Sequence, residues 1–192
     1  MALRTAIVAT AFLGTIATLY HLSGLPSSIM PTSADNRPSS QEISVELSPA
    51  QAPLTVKVTV QNDSPDRTFS FLTWDSPFDP QAINTGVLSL KDAETGHAIE
   101  GPGMKLNRKL PPSREDLVEI SPGSSATKEL EMASPWIPTD GKRYQVKLQG
   151  SWRAAWLKPA ADVTDSELDA METSQISTLG FESGALEMQL KQ

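Results

Sequence analysis

Asp75 and Asp79 stand four residues apart in the stretch FLTWDSPFDP (71–80), interleaved with Trp74 and Phe78, in a chain that is only 6% aromatic. Paired carboxylates perform acid–base chemistry when they face each other across a cleft, and proximity on a loop does not supply that arrangement. DSPFDPQ also departs from the alternating Asp/Asn pattern with a central glycine that wraps calcium. Ser-Pro and Asp-Pro pairs push their preceding residues toward extended geometry, and aspartates favour turns by bonding nearby backbone. The expectation is a strand running into a rigid crossover, with Asp75 and Asp79 holding the bend. Phe69 and Phe71 are expected to face one way, and Leu72 with Trp74 the other. Trp152 and Trp156, four apart in SWRAAW, would share a face in an extended chain; packing beneath an inserted helical turn is the expected role. Trp74, Asp75, Phe78, Asp79, Trp152 and Trp156 together form the candidate binding surface.

Other chemistry is excluded by counting. The 192 residues contain no cysteine and two histidines, so thiol nucleophiles, disulfides, zinc–thiolate sites and the H-E-x-x-H zinc motif drop out. His21 lies in an apolar N-terminal run, and His97 follows the turn residues Glu94-Thr95-Gly96. There is no G-x-S-x-G elbow and no phosphate-binding glycine loop. No catalytic residue, metal ligand or cofactor is expected. Asn62-Asp63-Ser64 is a glycosylation sequon, followed by Pro65, and Asn62 also suits the opening of a turn.

The elements that must position these residues begin with the N-terminus. Residues 6–25 carry no Asp, Glu, Lys or Arg, about the length that crosses a bilayer. Arg4 precedes the run and the next basic residue is Arg37, so the positive-inside bias sends the rest of the chain to the lumenal or extracellular side. Cleavage after Gly24 or Ser28 would place Leu22 or Pro26 at the −3 position, neither of them small, which favours a signal anchor over a cleaved signal peptide for residues 1–25. Residues 26–41 read as a flexible Pro/Ser/Thr-rich tether, and 42–192 as the folded domain. The expected location is the secretory pathway: single-pass with a lumenal or extracellular domain, or secreted if the signal is removed. The formal charge of −7 disfavours nucleic acid; Lys105, Arg108 and Lys109 form the closest basic group, expected on a solvated edge strand.

From residue 43 onward, apolar residues alternate with polar ones, most clearly in LTVKVTVQ (54–61). Similar segments fall at 43–48, 67–73, 86–92, 104–110, 116–120, 127–132, 143–150 and 185–190, bounded by NDSPD, ETG, GPG, LPPS, SPGSS and TDGK. Short alternating runs between turn signals predict an all-β antiparallel sandwich. One stretch dissents: Thr164 with Glu167 three residues later is a capping box, predicting a short helical insertion near 164–173. Its apolar positions Val163, Leu168 and Met171 look too few for a core helix.

The succession VTVQND, FLTWDSPFD, GVLSLKDAETGHAIEG, LVEISPGSSATKELEM and RYQVKLQG resembles the N-terminal pro-segment domain of fungal deuterolysin-type and peptidyl-lysine metalloendopeptidases. The likeness covers about residues 43–150 and rests on Asn62, Leu72, Asp79, Gly101, Pro122, Gly123, Ser124, Tyr144 and Gly150. It implies an immunoglobulin-like sandwich, a fungal source and the secretory route. The catalytic domain and its zinc-binding histidines have no counterpart here, so proteolysis is not implied. The expected function is a non-enzymatic extracytoplasmic domain that binds a secreted or membrane protein, a protease among the candidates, as an inhibitor- or chaperone-like module. The alternative is a small-molecule-binding or enzymatic accessory protein of a fungal biosynthetic pathway, with a pocket near Trp152–Trp156.

Overall fold

The computed structural model describes residues 42–171 and 179–191. The apolar segment 6–25 and the tether 26–41 lie outside the described residues. Within those described, no helix is long and apolar enough to cross a membrane.

Alternation becomes a sheet as the pattern requires. β1 (Ile43–Pro49) pairs antiparallel with β2 (Thr55–Asn62), and β2 with β7 (Ser125–Glu131). The side chains of Val56, Val58 and Val60 are completely buried, because every second residue of a pleated strand faces the core. A second group centres on the long strand β8 (Asp140–Ser151). One edge of β8 carries β4 (Leu88–Asp92), which in turn pairs β5 (Ala98–Ile99). The other edge carries β11 (Leu186–Lys191) along its first half and β10 (Gly180–Glu182) along its second. A third sheet sets β3 (Phe69–Leu72) between β6 (Leu117–Ile120) and β9 (Ala155–Trp156). All these pairings are antiparallel; a lone parallel bridge joins Val45 to Ser183. Strands from all three sheets feed one core, the two-layer logic of an all-β sandwich.

β3 is buried on both faces. Phe69 and Phe71 turn into the main core, where Phe71 meets Trp152 at 4.2 Å between ring centroids and Trp152 meets Phe181 at 5.0 Å. Leu72 and Trp74 turn the other way, into a second cluster with Ala154, Trp156, Val163, Leu168 and Met171. The expected division of these four residues is observed, and both pairs feed a core.

The second cluster needs a cover, which the insertion supplies. α1 (Asp165–Asp169) starts at Thr164, whose Oγ1 accepts from the Glu167 N–H while the Glu167 carboxylate accepts from the Thr164 N–H at 2.8 Å. Val163, Leu168 and Met171 are 0%, 4% and 1% exposed. The expectation that these positions are too few to build core is therefore corrected: three side chains suffice, because they cap a strand rather than form a layer. Residues 172–178, which include the end of the expected insertion, lie outside the described residues.

Two further expectations change. The segment 104–110 forms no strand; Gly101 and Gly103 precede it, Pro111 and Pro112 follow it, and Arg108 turns inward onto Asp79 rather than lying on a solvated edge. Trp152 and Trp156 do not share a face. The chain bends between them, and only Ala155–Trp156 is extended, so Trp152 enters the main core and Trp156 alone packs with α1.

Candidate functional site

The bend after β3 is built by its own side chains. Asp75 sits at φ 54°, a left-handed conformation that aspartate tolerates better than most residues. The Ser76 hydroxyl donates to the Thr73 carbonyl at 2.7 Å and accepts from the Phe78 N–H. The carboxylate of Asp79 accepts from the backbone N–H of Asp75 at 2.7 Å and from that of Gln81 at 2.8 Å. Arg108 forms an ion pair with the Asp79 oxygen that faces Asp75. Asp79 is fully buried, so both of its oxygens are committed to holding the turn.

Around this turn lies a cationic–aromatic clasp. The guanidinium groups of Arg108 and Arg153 each lie 5.7 Å from the Trp74 ring centroid, within cation–π range. Arg153 also pairs with Asp75 at 3.3 Å. The Trp74 indole N–H donates to Asp116 at 3.1 Å. Burial raises the Asp116 carboxyl, but bonds from the Ser113 backbone and hydroxyl and from Trp74, with the Arg108 charge, outweigh it and hold the group below its ordinary value. Lys128 donates to the Phe78 carbonyl at 2.6 Å; burial pushes its ammonium down, and the Asp79 charge partly opposes this. The structure brings Trp74, Asp75, Phe78 and Asp79 together. Trp74 is 4% exposed and Phe78 7%, so Asp75 is the member of this group with substantial solvent contact. Trp152 and Trp156 are 1% and 7% exposed and lie in separate clusters.

Asn62 is buried as well. Its Nδ2 donates to the carbonyls of Arg67 at 2.7 Å and Ile120 at 3.0 Å, and its Oδ1 accepts from the Ser64 N–H at 3.0 Å. The amide nitrogen of the sequon is thus employed in tying the β2–β3 turn to β6, and a glycan there would displace those bonds.

The clasp positions something the sequence reading missed. Residues 100–112 form an irregular loop pinned at several points. Gly101 lies against Trp136, where an added Cβ would sit 3.3 Å from the indole. The Met104 N–H donates to the Asn84 carbonyl at 2.7 Å, while the Asn84 side-chain oxygen accepts from Ser134 and Trp136. Arg108 closes the other side. Between and beyond these pins the loop presents Met104 at 46% and Leu110 at 58% exposure, the exposed large hydrophobic residues among those described, with Lys105 and Lys109 exposed beside them. The signal was present in MKLNRKL: two lysine–hydrophobe pairs flank Arg108. Alternation there mimicked a strand.

Beside the loop runs a groove of about 560 Å³. Its floor is the outward face of β4 and β8, and its wall is β5 followed by Glu100, Gly101 and Gly103 at the beginning of the same loop.

Residues 42–190 match the family model described as immunoglobulin-like domain. The chain belongs to that family. The immunoglobulin-like domain is also similar to a protein of Arthroderma benhamiae named as an uncharacterized secreted protein, 32% identical over 124 residues. That match covers 64% of this chain and 63% of the relative, so the chain spans just under two thirds of the relative's length.

Proposed function

We propose that this immunoglobulin-like domain is a non-enzymatic, extracytoplasmic module that binds a partner protein through the loop 100–112. The observation that carries the reading is the pairing of exposed Met104 and Leu110 with Lys105 and Lys109 on a loop braced at Asn84, Trp136 and Asp79. A braced loop loses little conformational entropy on docking, and apolar side chains on a fixed frame are what a partner's pockets can grip. Export is supported by the uncharged run 6–25 and by the secreted description of the Arthroderma relative. The resemblance to metalloprotease pro-segments makes a secreted protease the first partner class to try.

The test uses the full chain as bait in medium from the cells that make it, beside the double variant Met104→Asp/Leu110→Asp. A partner identified by mass spectrometry is expected on the wild type and reduced about tenfold or more on the variant, since burying one such side chain is worth more than the ~1.4 kcal/mol of a tenfold change. Equal capture by both baits, or no specific capture, contradicts the reading.

A further inference from the structure

We infer that the loop 100–112 enters the cleft of a trypsin-type protease as a substrate-like inhibitory segment. Lys105 fills the specificity pocket and Lys105–Leu106 is the scissile bond; this rests on the protein-binding reading above. A protease cleft receives peptide as an extended strand whose backbone groups are free to pair. From Glu100 to Lys109 the chain makes neither turn nor bend. Among the described residues, the backbone groups of Lys105, Leu106 and Asn107 bond to nothing. Lys57, Lys91, Arg143, Lys147 and Lys191 lie in strands instead, so their backbones are committed to ladders.

The loop carries two exposed lysines, and the backbone distinguishes them. A bend at Leu110 and Pro111 follows Lys109 directly, whereas the chain continues unbent from Leu106 to Lys109 beyond Lys105. Gly103, at φ 51°, redirects the chain two residues earlier, so contact on that side falls to exposed Met104 and to Lys105 itself. Lys105 is exposed and makes no ion pair among the described residues. An ammonium on a long apolar stem fits a deep pocket closed by a carboxylate.

Bracing separates an inhibitor from a substrate. Two pins flank the bond: the Met104 N–H donates to the Asn84 carbonyl at 2.7 Å on one side, and Arg108 pairs with the buried Asp79 on the other. The protease's serine nucleophile adds to the Lys105 carbonyl carbon. The C–N bond breaks, and the Leu106 nitrogen takes a proton and becomes a free amine. Each new end is still tied to the body of the domain by its own pin, so the amine stays beside the acyl carbon. Held there, it returns to that carbon faster than water displaces the nucleophile, which restores both the peptide bond and the serine.

The experiment measures hydrolysis of benzoyl-arginine p-nitroanilide by trypsin as the full chain is added, with chymotrypsin and its own anilide substrate as the comparison. Competitive inhibition of trypsin alone is expected. Lys105→Ala should weaken it about thirtyfold or more, the effect of emptying a charged pocket. Lys109→Ala and Lys57→Ala should leave it unchanged. Circular dichroism and thermal midpoints establish that each variant is folded. Mass spectrometry should find a slow cut confined to Lys105–Leu106, which Arg108→Ala accelerates by freeing one pin. Absence of trypsin inhibition, rapid cleavage of the wild type, equal inhibition of chymotrypsin, or indifference to Lys105→Ala overturns the proposal. A partner captured through Met104 and Leu110, with equal capture by Lys105→Ala and no inhibition of trypsin, sinks the inhibitor proposal and leaves the loop reading standing. Loss of capture altogether sinks the loop reading itself.

Discussion

Asp79 is a carboxylate without solvent, and three donors hold it: two backbone N–H groups and Arg108. Removing one partner of a buried ion pair costs about 3–5 kcal/mol, because the remaining charge stays buried and unpaired. Arg108→Ala should therefore lower stability by about that amount in urea titrations, and trypsin should cut the native protein faster after Lys105 and Lys109 as the loop loses its pin. Arg108→Lys should not restore the wild-type midpoint, since an ammonium lacks the planar fork that reaches Asp79 while lying over Trp74. A wild-type midpoint in Arg108→Ala would remove the clasp from the account. Half of this was legible beforehand. Asp75 and Asp79 announce a bend because Asx turns and Asp-Pro pairs are local chemistry. Arg108, 29 residues away in sequence, carries no local sign of its partner, and its neighbours Lys105 and Lys109 disguised it as one more solvated charge. Asn62 behaves the same way: the turn it opens could be read, whereas its bond to Ile120, 58 residues on, could not.

At the scale of elements, the insertion shows how a short helix becomes structural. Its capping box is a sequence-local motif and appears as expected. Its task, covering Leu72, Trp74 and Trp156, follows only from β3 being buried on both faces. The anchoring group is Glu167, which accepts from Lys158 at 2.7 Å through both oxygens and also from the Thr164 N–H and hydroxyl. The Lys158 bond foremost, then those from Thr164, lower its pKa from 4.5 to about 2. A depressed carboxylate pKa in the folded state means that its stabilisation is complete above about 4.5 and drains away as pH falls toward 2. Acidification through that window should loosen α1 and shift the Trp156 emission before the main core melts, and Glu167→Gln should show the loosened state at neutral pH. Identical acid profiles for wild type and Glu167→Gln would show that Glu167 does not anchor α1. The misread strand at 104–110 belongs to this scale too. Period-two alternation is necessary for a strand but needs a partner edge, and prolines 111 and 112 with glycines 101 and 103 deny it one. β5, β9 and β10, two or three residues each, are too short for periodicity to register.

For the whole molecule, the antiparallel β architecture was legible because it depends on patterns that recur along the chain, and the family match covers the same body. The distribution of surface character was not legible. It arises when folding turns Arg108 inward onto Asp79 and leaves Met104, Lys105, Lys109 and Leu110 exposed on one loop of an acidic protein. The central claim is that partner contact runs through this region, and lysine acetylation footprinting of the isolated complex tests it most directly. Protection on complex formation is expected at Lys105 and Lys109, with Lys57 on β2 and Lys191 on β11 modified as fast as in the free protein. Unchanged modification of Lys105 and Lys109, with protection on β2 instead, would contradict the account.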